Sequence, residues 1–538
     1  MKITAAEVLL KMIRENGTET IFGYPGAAIA PVYQALKKEP IRHILTRTEQ
    51  GAAHMAAAFY RSCGKTGVCL ATSGPGSTNL LTAIANAYVD SVPLVVITAQ
   101  VSVSQIGTDA FQEVDTTGVT APVTKHNYLI KSAEDLPKAV QEAFYLASDG
   151  RPGPVVVDIP YDVLKAKMEW EPSLPYQTSK LTKPALTHNN TLDDLVLAVA
   201  TAKNPLLVVG GGVLCGQAQR ELMGLLSATG LPTVSTMMGL SALPSDFPNY
   251  LGMVGIHGLP AANAIFKEAD LVIFAGSRIT ERTVPDPVQL TKRAVTIHID
   301  IDPAELGKNC PCQISLCGDV KTILQQLTDA LQNYRIKAHW QKTISFLQGT
   351  NGTDTGSRPS YVDPAYLLSV LRKALTGPSI IATEVGQHQI WACRHFSFRK
   401  GDVFLTSGGF GAMGYGLPAA IGAGIVAGDR PIIALEGDGS LQMSMPELAT
   451  MVETGVPVKI ILFKNSCLGL VREVDKVSCR ADYVRLGDLP DFCTLATAYG
   501  IPSQEISKNE DVADALTALL TASGPYFLEV VIDPKAHV

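Results

Sequence analysis

Short apolar runs rich in β-branched residues alternate with helical patterns along the whole chain. They cover residues 68–71, 94–98, 155–159, 206–209, 271–274, 295–299, 380–383, 432–435, 458–463 and 527–532. This alternation predicts parallel sheets covered by helices on both faces, an α/β fold. With 538 residues the chain exceeds what one hydrophobic core serves, and polar or proline-containing breaks fall near 166–190 and 335–360. We therefore predict three doubly wound parallel-sheet domains, at residues 1–165, 190–332 and 361–538.

A polar turn at the end of one of these runs predicts a site for a diphosphate and its metal ion. The run 431–435 leads into the Gly-Asp-Gly-Ser turn at 437–440, and a helical pattern follows over 441–453. Such a turn presents backbone N–H groups and a helix N-terminus to a phosphate. Asn465 follows Asp438 by 27 positions, and both side chains offer the hard oxygen ligands that Mg²⁺ prefers. An ordinary strand-turn-helix also fits the turn alone, but an interval of one helix plus one strand favours the metal-diphosphate site.

Charge and composition narrow the class of protein. The formal net charge is −6 and no basic tract occurs, so nucleic acid is not an expected partner. No uninterrupted apolar stretch reaches membrane-spanning length, and the N-terminal residues lack the apolar core of a secretory signal. The ten cysteines are scattered through apolar segments, as is typical of reduced, buried thiols. We expect a soluble cytoplasmic protein.

Longer motifs occur in a fixed order on both sides of the middle domain. They cover residues 22–29, 46–54, 71–79, 106–115, 150–154, 384–391 and 407–418. Together with the turn at 437–440 they resemble the acetohydroxyacid (acetolactate) synthase branch of the thiamine diphosphate enzymes, and the resemblance extends over nearly the whole chain. It implies a carboligase of the kind used in branched-chain amino acid biosynthesis. Such an enzyme decarboxylates pyruvate and joins the hydroxyethyl unit to a second 2-oxoacid, which gives 2-acetolactate.

The resemblance implies roles for residues of the first, pyrimidine-binding domain. Glu49 matches the acid that shares a proton with the pyrimidine ring of thiamine, so that the amino group of the ring becomes the base that activates the thiazolium carbon. The backbone N–H groups of Gly26 and Ala27 match those that stabilise an oxyanion, although the family usually has glycine at the second position. The substrate cleft is then lined by Phe111, Gln112 and Lys125.

The resemblance also implies which residues of the third, diphosphate-binding domain hold thiamine diphosphate and Mg²⁺. The metal ligands are Asp438, Asn465 and the backbone of Cys467. Met413 is the apolar wedge that keeps thiamine bent, and the carbonyl of Gly411 accepts a hydrogen bond from its amino group. Further cofactor contacts are expected from Gly386, Gln387, His388, Gly437, Gly439 and Ser440.

Glycine-rich turns in the middle domain resemble the flavin-binding domain of the biosynthetic acetolactate synthases. The motifs cover 208–213, 251–258, 276–282 and 298–303. Glycine turns after strands allow close approach to a nucleotide, so FAD is an expected cofactor, although it does no net redox work in that family. The expected contacts are Gly210, Gly211, His257, Arg278 and Asp300.

Arg282 bears most on the substrate. It matches the arginine that holds the carboxylate of the second 2-oxoacid, and a guanidinium binds a carboxylate bidentately; the alternative is a surface ion pair. Thr280 and Glu281 depart from the paired aspartates of the family. Val474 stands where the biosynthetic enzymes carry a tryptophan that favours 2-oxobutyrate. Both pyruvate and 2-oxobutyrate therefore remain candidates for the acceptor substrate.

Two further hypotheses stand beside the acetolactate-forming carboligase. One is a related thiamine enzyme with another acceptor, or a hydrolase of C–C bonds, in view of Glu281, Val474 and Cys467. The other is a non-catalytic paralogue, which the intact cofactor motifs disfavour. In the family the first and third domains meet across a subunit boundary, so a homodimer or tetramer is expected. A regulatory small subunit is a further possible partner.

Overall fold

The computed structural model describes residues 2–171, 191–349, 360–476, 478 and 481–538. These residues form three six-stranded sheets, in each of which neighbouring strands are parallel, and one small antiparallel pair. Helices connect successive strands, and the central strands are buried over their whole length, as is typical of parallel sheets with both faces covered. The predicted α/β class with three doubly wound sheets is confirmed.

The first sheet has the strand order β3-β2-β4-β5-β7-β6, and β1 pairs with β8 beside it. The strands are β1 (Lys2–Thr4), β2 (Thr20–Gly23), β3 (Arg42–Leu45), β4 (Gly67–Ala71), β5 (Leu94–Gln100), β6 (His126–Leu129), β7 (Pro154–Pro160) and β8 (Lys167–Glu169). The helices are α1 (Ala5–Glu15), α2 (Ala30–Ala35), α3 (Glu49–Cys63), α4 (Pro75–Asn79), α5 (Leu81–Val89), α6 (Thr116–Thr120), α7 (Leu136–Ser148) and α8 (Tyr161–Lys165).

The second sheet has the order β11-β10-β9-β12-β13-β14. Its strands are β9 (Pro205–Val209), β10 (Thr233–Ser235), β11 (Tyr250–Met253), β12 (Leu271–Ala275), β13 (Val295–Asp300) and β14 (Ile314–Cys317). The helices are α9 (Leu192–Thr201), α10 (Gly211–Cys215), α11 (Gln219–Thr229), α12 (Pro260–Glu268), α13 (Pro287–Arg293), α14 (Val320–Ala330) and α15 (Ala338–Gln348).

The third sheet has the order β16-β15-β17-β18-β20-β19. Its strands are β15 (Ile380–Thr383), β16 (Val403–Leu405), β17 (Ile432–Gly437), β18 (Lys459–Lys464), β19 (Ser503–Ile506) and β20 (Tyr526–Val531). The helices are α16 (Pro364–Ala374), α17 (Gln387–His395), α18 (Gly416–Gly424), α19 (Asp438–Leu441), α20 (Glu447–Thr454), α21 (Gly469–Asp475), α22 (Phe492–Ala498) and α23 (Val512–Thr521). The single helix predicted over 441–453 is two helices, α19 and α20, and Pro446 lies directly before the second, where a residue without an N–H is tolerated.

Strand order places the possible ligand sites. Numbered from the first strand of each six-stranded sheet, the first and third sheets share the order 2-1-3-4-6-5, whereas the second has the order 3-2-1-4-5-6 of dinucleotide-binding folds. In such sheets ligands bind outside the carboxyl ends of the strands where the order reverses. These switch points lie between β2 and β4, between β9 and β12, and between β15 and β17.

The first and third sheets pack together through their helices. Helix α3 lies against α18, and one cluster of buried side chains continues from Ala52, Ala53 and Ala56 on α3 to Ala419 and Ala420 on α18. Small side chains on both helices allow this close packing. The helix that begins at Glu49 is therefore fixed against the third domain of the same chain.

The predicted domain boundaries remain predictions. Strand β8 lies just beyond residue 165 and pairs with β1, and α15 lies beyond residue 332 and packs on α12 of the second sheet. Residues 172–190 of the first break and residues 350–359 of the second lie outside the described residues. Among the residues that are described, no helix is both long and apolar enough to cross a membrane.

Candidate active site

Asp438 lies in the turn that follows β17, at the switch point of the third sheet. Its Oδ2 accepts hydrogen bonds from the backbone N–H of Asn465 at 2.9 Å and of Ser466 at 2.6 Å. Strands β17 and β18 are neighbours, with Gly437 opposite Phe463, which is why residues 27 positions apart meet. Burial raises the pKa of Asp438 to about 6, against the effect of these N–H groups. A carboxylate in this environment favours a cation beside it.

The amide of Asn465 is oriented by two contacts. Its Nδ2 donates to Oε1 of Gln387 at 3.0 Å, and its Oδ1 accepts from the N–H of Cys467 at 3.0 Å. Cys467 is buried, and its backbone forms an isolated antiparallel β-bridge with that of Arg485. The carboxylate of Asp438 and the amide oxygen of Asn465 thus lie on adjacent loops that follow the neighbouring strands β17 and β18. Both are oxygen ligands of the kind that Mg²⁺ prefers.

The remaining predicted diphosphate contacts lie around the same turn. His388 is buried, its ring stacks on Phe463, and burial lowers its pKa to about 3, so the ring is neutral. Its Nε2 has no hydrogen-bond partner. A Cβ at Gly437 or Gly386 would lie 2.7 or 2.6 Å from Cε1 of this ring. The hydroxyl of Ser440 accepts from the N–H of Gly437 at 3.2 Å, and Gly439 lies against Leu468.

A glycine-rich loop before α18 lies beside this turn. Its backbone is held by Glu384, whose carboxylate accepts from the N–H of Gly414 at 3.0 Å and of Gly416 at 2.8 Å. Met413 is half-buried in this loop, and its carbonyl accepts from Nε2 of Gln50 at 3.4 Å. Gly411 is exposed, with a φ of +74°. The loop that carries Met413 therefore touches the residue next to Glu49.

Glu49 is the first residue of α3 and follows the carboxyl end of β3. Its carboxylate is half-buried, and Oε2 accepts from Nδ2 of Asn79 at 3.1 Å. Thr48 caps the helix, because its hydroxyl accepts from the N–H of Gly51 at 3.0 Å. A Cβ at Gly76 would lie 3.6 Å from Oε1 of Glu49. The structure therefore brings Glu49 together with the 71–79 motif.

Gly26 and Ala27 follow β2 at the switch point of the first sheet. Gly26 lies so close to Thr72 that a Cβ there would be 2.5 Å from the Thr72 side chain. Ala27 is exposed and does not adopt a positive φ. Alanine therefore replaces the usual glycine without backbone strain.

Phe111 and Gln112 lie on a compact loop close to the 71–79 motif. Phe111 is 88% exposed. Gln112 has a φ of +61°, and its backbone fills the space where a Cβ of Gly74 would lie. The carbonyl of Val114 accepts from Nε2 of Gln100 at 2.7 Å, which ties the loop to the end of β5.

Lys125 lies at the amino end of a strand of the first sheet, opposite to the end at which Glu49 and Gly26 lie. It precedes β6, and its N–H donates to the carbonyl of Pro154, the first residue of β7. Glu49 and Gly26, in contrast, follow the carboxyl ends of strands. The side chain of Lys125 donates to the carbonyl of Asp149, and its pKa is lowered by burial, while Asp149 and Asp302 oppose that shift. Within one chain, Lys125 is thus near the middle domain and apart from Glu49.

A cleft of about 940 Å³ lies where the three domains meet. It opens at the switch point of the second sheet, and four of the five predicted FAD contacts line it, namely Gly211, His257, Arg278 and Asp300. The fifth, Gly210, lies against the turn after β12, where a Cβ would be 2.2 Å from the carbonyl of Gly276. Only glycine permits this approach of the two turns, and the N–H of Gly212 donates to the carbonyl of Gly276 at 2.8 Å, which joins them.

Ion pairs and hydrogen bonds hold the walls of this cleft together. Asp90 of the first domain accepts from the N–H of Gly409 in the third at 2.9 Å, and its Oδ2 is buried without a partner. Burial raises the pKa of Asp90 to about 6, and the nearby Arg61 opposes this rise. Arg151 of the first domain pairs with Asp302 and Glu305 of the second at 3.3 and 3.0 Å.

Arg282 and Val474 are both solvent-accessible. Arg282 lines the cleft, its side chain is 68% exposed, and its Nε lies 3.8 Å from the carboxylate of Glu281. Val474, on α21, is 69% exposed. The guanidinium of Arg282 is therefore accessible to a small anion in the cleft.

Two residues that the sequence analysis did not single out hold the site together. Glu384 fixes the loop of Met413, and Glu447 binds the backbone just before Glu49. Both are fully buried. Glu384 opens the 384–391 motif, although no role was assigned to it, and nothing local marked Glu447.

Comparison with known proteins agrees with this geometry. The chain matches the family models of the thiamine pyrophosphate (thiamine diphosphate) enzymes: the N-terminal TPP binding domain over residues 3–119, the central domain over 192–327 and the C-terminal TPP binding domain over 384–530. The Escherichia coli (strain K12) acetolactate synthase isozyme 2 large subunit is 41% identical over 538 residues, which cover 100% of this chain and 97% of that protein. The chloroplastic acetolactate synthase of Arabidopsis thaliana is 40% identical, with 99% of this chain and 82% of that protein covered. Acetolactate synthase of Mycobacterium leprae (strain TN) is 39% identical, with 100% and 88% covered.

Fold, turn geometry and family models together define a thiamine diphosphate-dependent enzyme. The identity over nearly full length adds the particular branch: the chain belongs to the acetolactate synthase family. The prediction of an acetolactate synthase-like transferase is confirmed, and so is thiamine diphosphate as its cofactor.

Proposed function

We propose that this chain is the catalytic subunit of an enzyme that decarboxylates pyruvate and joins the hydroxyethyl unit to a second pyruvate, which gives 2-acetolactate and CO₂. The observation that carries the proposal is the pair of matching switch points. Glu49 and Gly26 stand at the carboxyl edge of the first sheet, and Asp438 and Asn465 stand at the same edge of the third. One edge supplies an acid and backbone donors, and the other supplies oxygen ligands for a metal-bound diphosphate.

Asp438, Asn465 and the backbone of Cys467 are our candidates for holding Mg²⁺ with the diphosphate. Their fit is supported by the fixed orientation of the Asn465 amide and by the burial of Asp438. Gly437, Gly439 and Ser440 would contact the diphosphate from the turn, and Gly386, Gln387 and His388 from the loop after β15. When bound, thiamine diphosphate supplies a thiazolium carbon that loses its proton and adds to the ketone of a 2-oxoacid.

Glu49 would hold and return one proton at its carboxylate. Asn79 keeps that carboxylate in place, and the N–H groups of Gly26 and Ala27 are available to an oxyanion. Met413 and the carbonyl of Gly411 would orient the thiamine. Phe111, Gln112 and Lys125 remain predicted lining residues of the substrate cleft, and Lys125, which lies beside the middle domain of its own chain, would take that role in the cleft of a partner chain.

FAD is the proposed second cofactor, and its place would be the cleft between the three domains. The dinucleotide-type strand order, the close glycine turns and the position of Arg278 support the fit. A dinucleotide in this cleft would be contacted by residues of all three domains.

We expect FAD to copurify with the protein. Protein purified without added flavin and then denatured should release a chromophore that absorbs as free flavin. Arg278→Ala should release less per chain, because the variant loses a cation that lines the cleft and would attract a diphosphate, whereas Arg220→Ala, at an exposed position of the same domain, serves as the control. A colourless preparation with full activity and no response to added FAD would contradict the assignment.

Arg282 is the proposed clamp for the carboxylate of the acceptor. A charge-assisted contact contributes about 1.5–3 kcal/mol, so Arg282→Ala should lower carboligation by about 10- to 100-fold while pyruvate is still decarboxylated. With pyruvate as the only substrate, the wild type should yield 2-acetolactate, and Arg282→Ala should divert the product to acetaldehyde. The products are to be quantified by NMR, with Arg220→Ala as the matched control.

Failure of the wild type to make acetolactate would overturn the proposed function. An unchanged acetolactate yield in Arg282→Ala would contradict only the role of Arg282 in the acceptor site and would leave the proposed function intact.

Val474 supports pyruvate rather than 2-oxobutyrate as the acceptor. Its small, exposed side chain offers little apolar area to an additional methyl group, in contrast to the tryptophan of the biosynthetic enzymes.

We further propose that the chain forms a homodimer or tetramer and binds a regulatory small subunit. The E. coli relative is named as a large subunit and the Arabidopsis relative as chloroplastic; the cytoplasmic location of this chain stays a prediction.

A further inference from the structure

The backbone directly before Glu49 is bound by a buried carboxylate from the other end of the chain. Glu447, the first residue of α20, accepts hydrogen bonds from the N–H of Arg47 at 3.1 Å and from the N–H of Thr48 at 2.9 Å. It also accepts from the hydroxyl of Thr48 at 2.8 Å and from that of Thr450 at 2.6 Å. Four donors thus surround one fully buried carboxylate.

These contacts determine where helix α3 begins. Thr48 is the capping residue, and its hydroxyl links Glu447 to the N–H of Gly51 in the first turn. Glu49 directly follows Thr48, so the position of its carboxylate depends on the N–H groups that Glu447 holds. Burial raises the pKa of Glu447, and the hydrogen bonds from Thr450 and Thr48 counter part of that rise.

Gly51 gives an independent sign that the carboxylate needs this space. A Cβ at Gly51 would lie 2.3 Å from Oε1 of Glu447 and 2.8 Å from the Thr48 hydroxyl. A glycine inside a helix is otherwise unfavourable relative to alanine. Its presence here is explained by the carboxylate packed against it.

We propose that Glu447 is the positioning residue for Glu49. Through its hydrogen bonds to the backbone of Arg47 and Thr48, a residue of the third domain fixes the position of the Glu49 carboxylate in the first domain. The inference rests on the proposed role of Glu49 and adds the residue through which that role is controlled. Glu447 itself touches no reacting atom.

Helix α20 offers a matched control. Glu453 lies on the same helix and pairs with the side chain of the same Arg47, but it is half exposed and does not bind the backbone. Glu453→Gln therefore removes a contact between the same two elements without touching the Thr48 cap.

The test compares Glu447→Gln with Glu453→Gln in the magnesium and thiamine diphosphate holoenzyme. A glutamine accepts through one oxygen only, and its amide group repels the N–H groups of Arg47 and Thr48. We expect the exchange rate of the thiazolium proton and kcat to fall by about 10²-fold, as for an ångström-scale misplacement, while the KM for pyruvate stays within about twofold. In the cofactor-free protein, amide hydrogen exchange at Arg47 and Thr48 should become faster. Glu453→Gln should leave all of these values unchanged.

A double mutant separates positioning from a general structural effect. If Glu447 acts through Glu49, Glu49→Gln combined with Glu447→Gln should be no slower in thiazolium exchange than Glu49→Gln alone. Multiplicative losses would overturn the inference, as would thiazolium exchange within twofold of wild type in Glu447→Gln. A wild-type exchange rate in Glu49→Gln would instead overturn the role of Glu49, and this inference with it.

Gly51→Ala is the second variant, in case Glu447→Gln does not fold. It keeps every carboxylate but displaces that of Glu447, so we expect it to lower the exchange rate on the order of tenfold. A rate equal to that of the wild type, with the protein folded, would contradict the proposal.

Discussion

Replacing Asp438 by alanine should strongly weaken the magnesium-dependent binding of thiamine diphosphate. The variant loses a charged oxygen ligand and leaves the N–H groups of Asn465 and Ser466 without their acceptor. Loss of a residue that only supports a metal ligand costs 10- to 100-fold in metal affinity, so loss of the ligand should weaken cofactor binding by about 10²-fold or more. A titration of cofactor-free protein with thiamine diphosphate at fixed Mg²⁺ measures this.

Asp438→Asn is the control that separates the metal from the local backbone. Asparagine still offers an oxygen to the two N–H groups but carries no charge. We expect it also to bind the cofactor weakly while it unfolds at nearly the same temperature as the wild type. Removal of the metal with a chelator should release the cofactor from the wild type. Unchanged magnesium-dependent affinity in both variants would show that the anchor lies elsewhere.

Replacing Glu49 by glutamine should leave the cofactor bound but remove most turnover. The amide oxygen of glutamine can still accept the hydrogen bond from Asn79, so the local structure is retained. An amide does not exchange a proton at neutral pH, and general acid-base groups contribute about 10²–10⁴-fold. We expect kcat to fall by that factor while the affinity for thiamine diphosphate and Mg²⁺ stays within about threefold.

The fold around Asp438 and Glu49 could largely be predicted from the sequence. All ten apolar runs coincide with strands: β4, β5, β7, β9, β12, β13, β15, β17, β18 and β20. All ten are internal strands of parallel sheets that helices cover on both faces, so their sequences are continuously apolar. The turn at Asp438 could be predicted because its partner, Asn465, follows the neighbouring strand.

Edge strands and long-range contacts were harder to predict. Strands β6, β14 and β19 lie at sheet edges, and β19 has the mixed sequence Ser-Gln-Glu-Ile; half-exposed strands need no continuous apolar run. Glu447 meets Thr48 across 399 positions, and no local pattern encodes such a contact. Lys125 was assigned to the substrate cleft from the family resemblance, which stays a prediction; its place before β6 depends on the direction of that edge strand, which no local pattern encodes.

The exchange of the thiazolium proton of bound thiamine diphosphate tests the central claim most directly, namely that Glu49 activates a cofactor anchored at Asp438. The wild type and Glu49→Gln, both loaded with Mg²⁺ and thiamine diphosphate, are mixed with D₂O, quenched in acid and analysed by NMR. We predict that the exchange rate in Glu49→Gln is lower than in the wild type by about 10²-fold or more, at equal cofactor occupancy. A variant that exchanges this proton as fast as the wild type would contradict the assignment of Glu49 and with it the proposed active site.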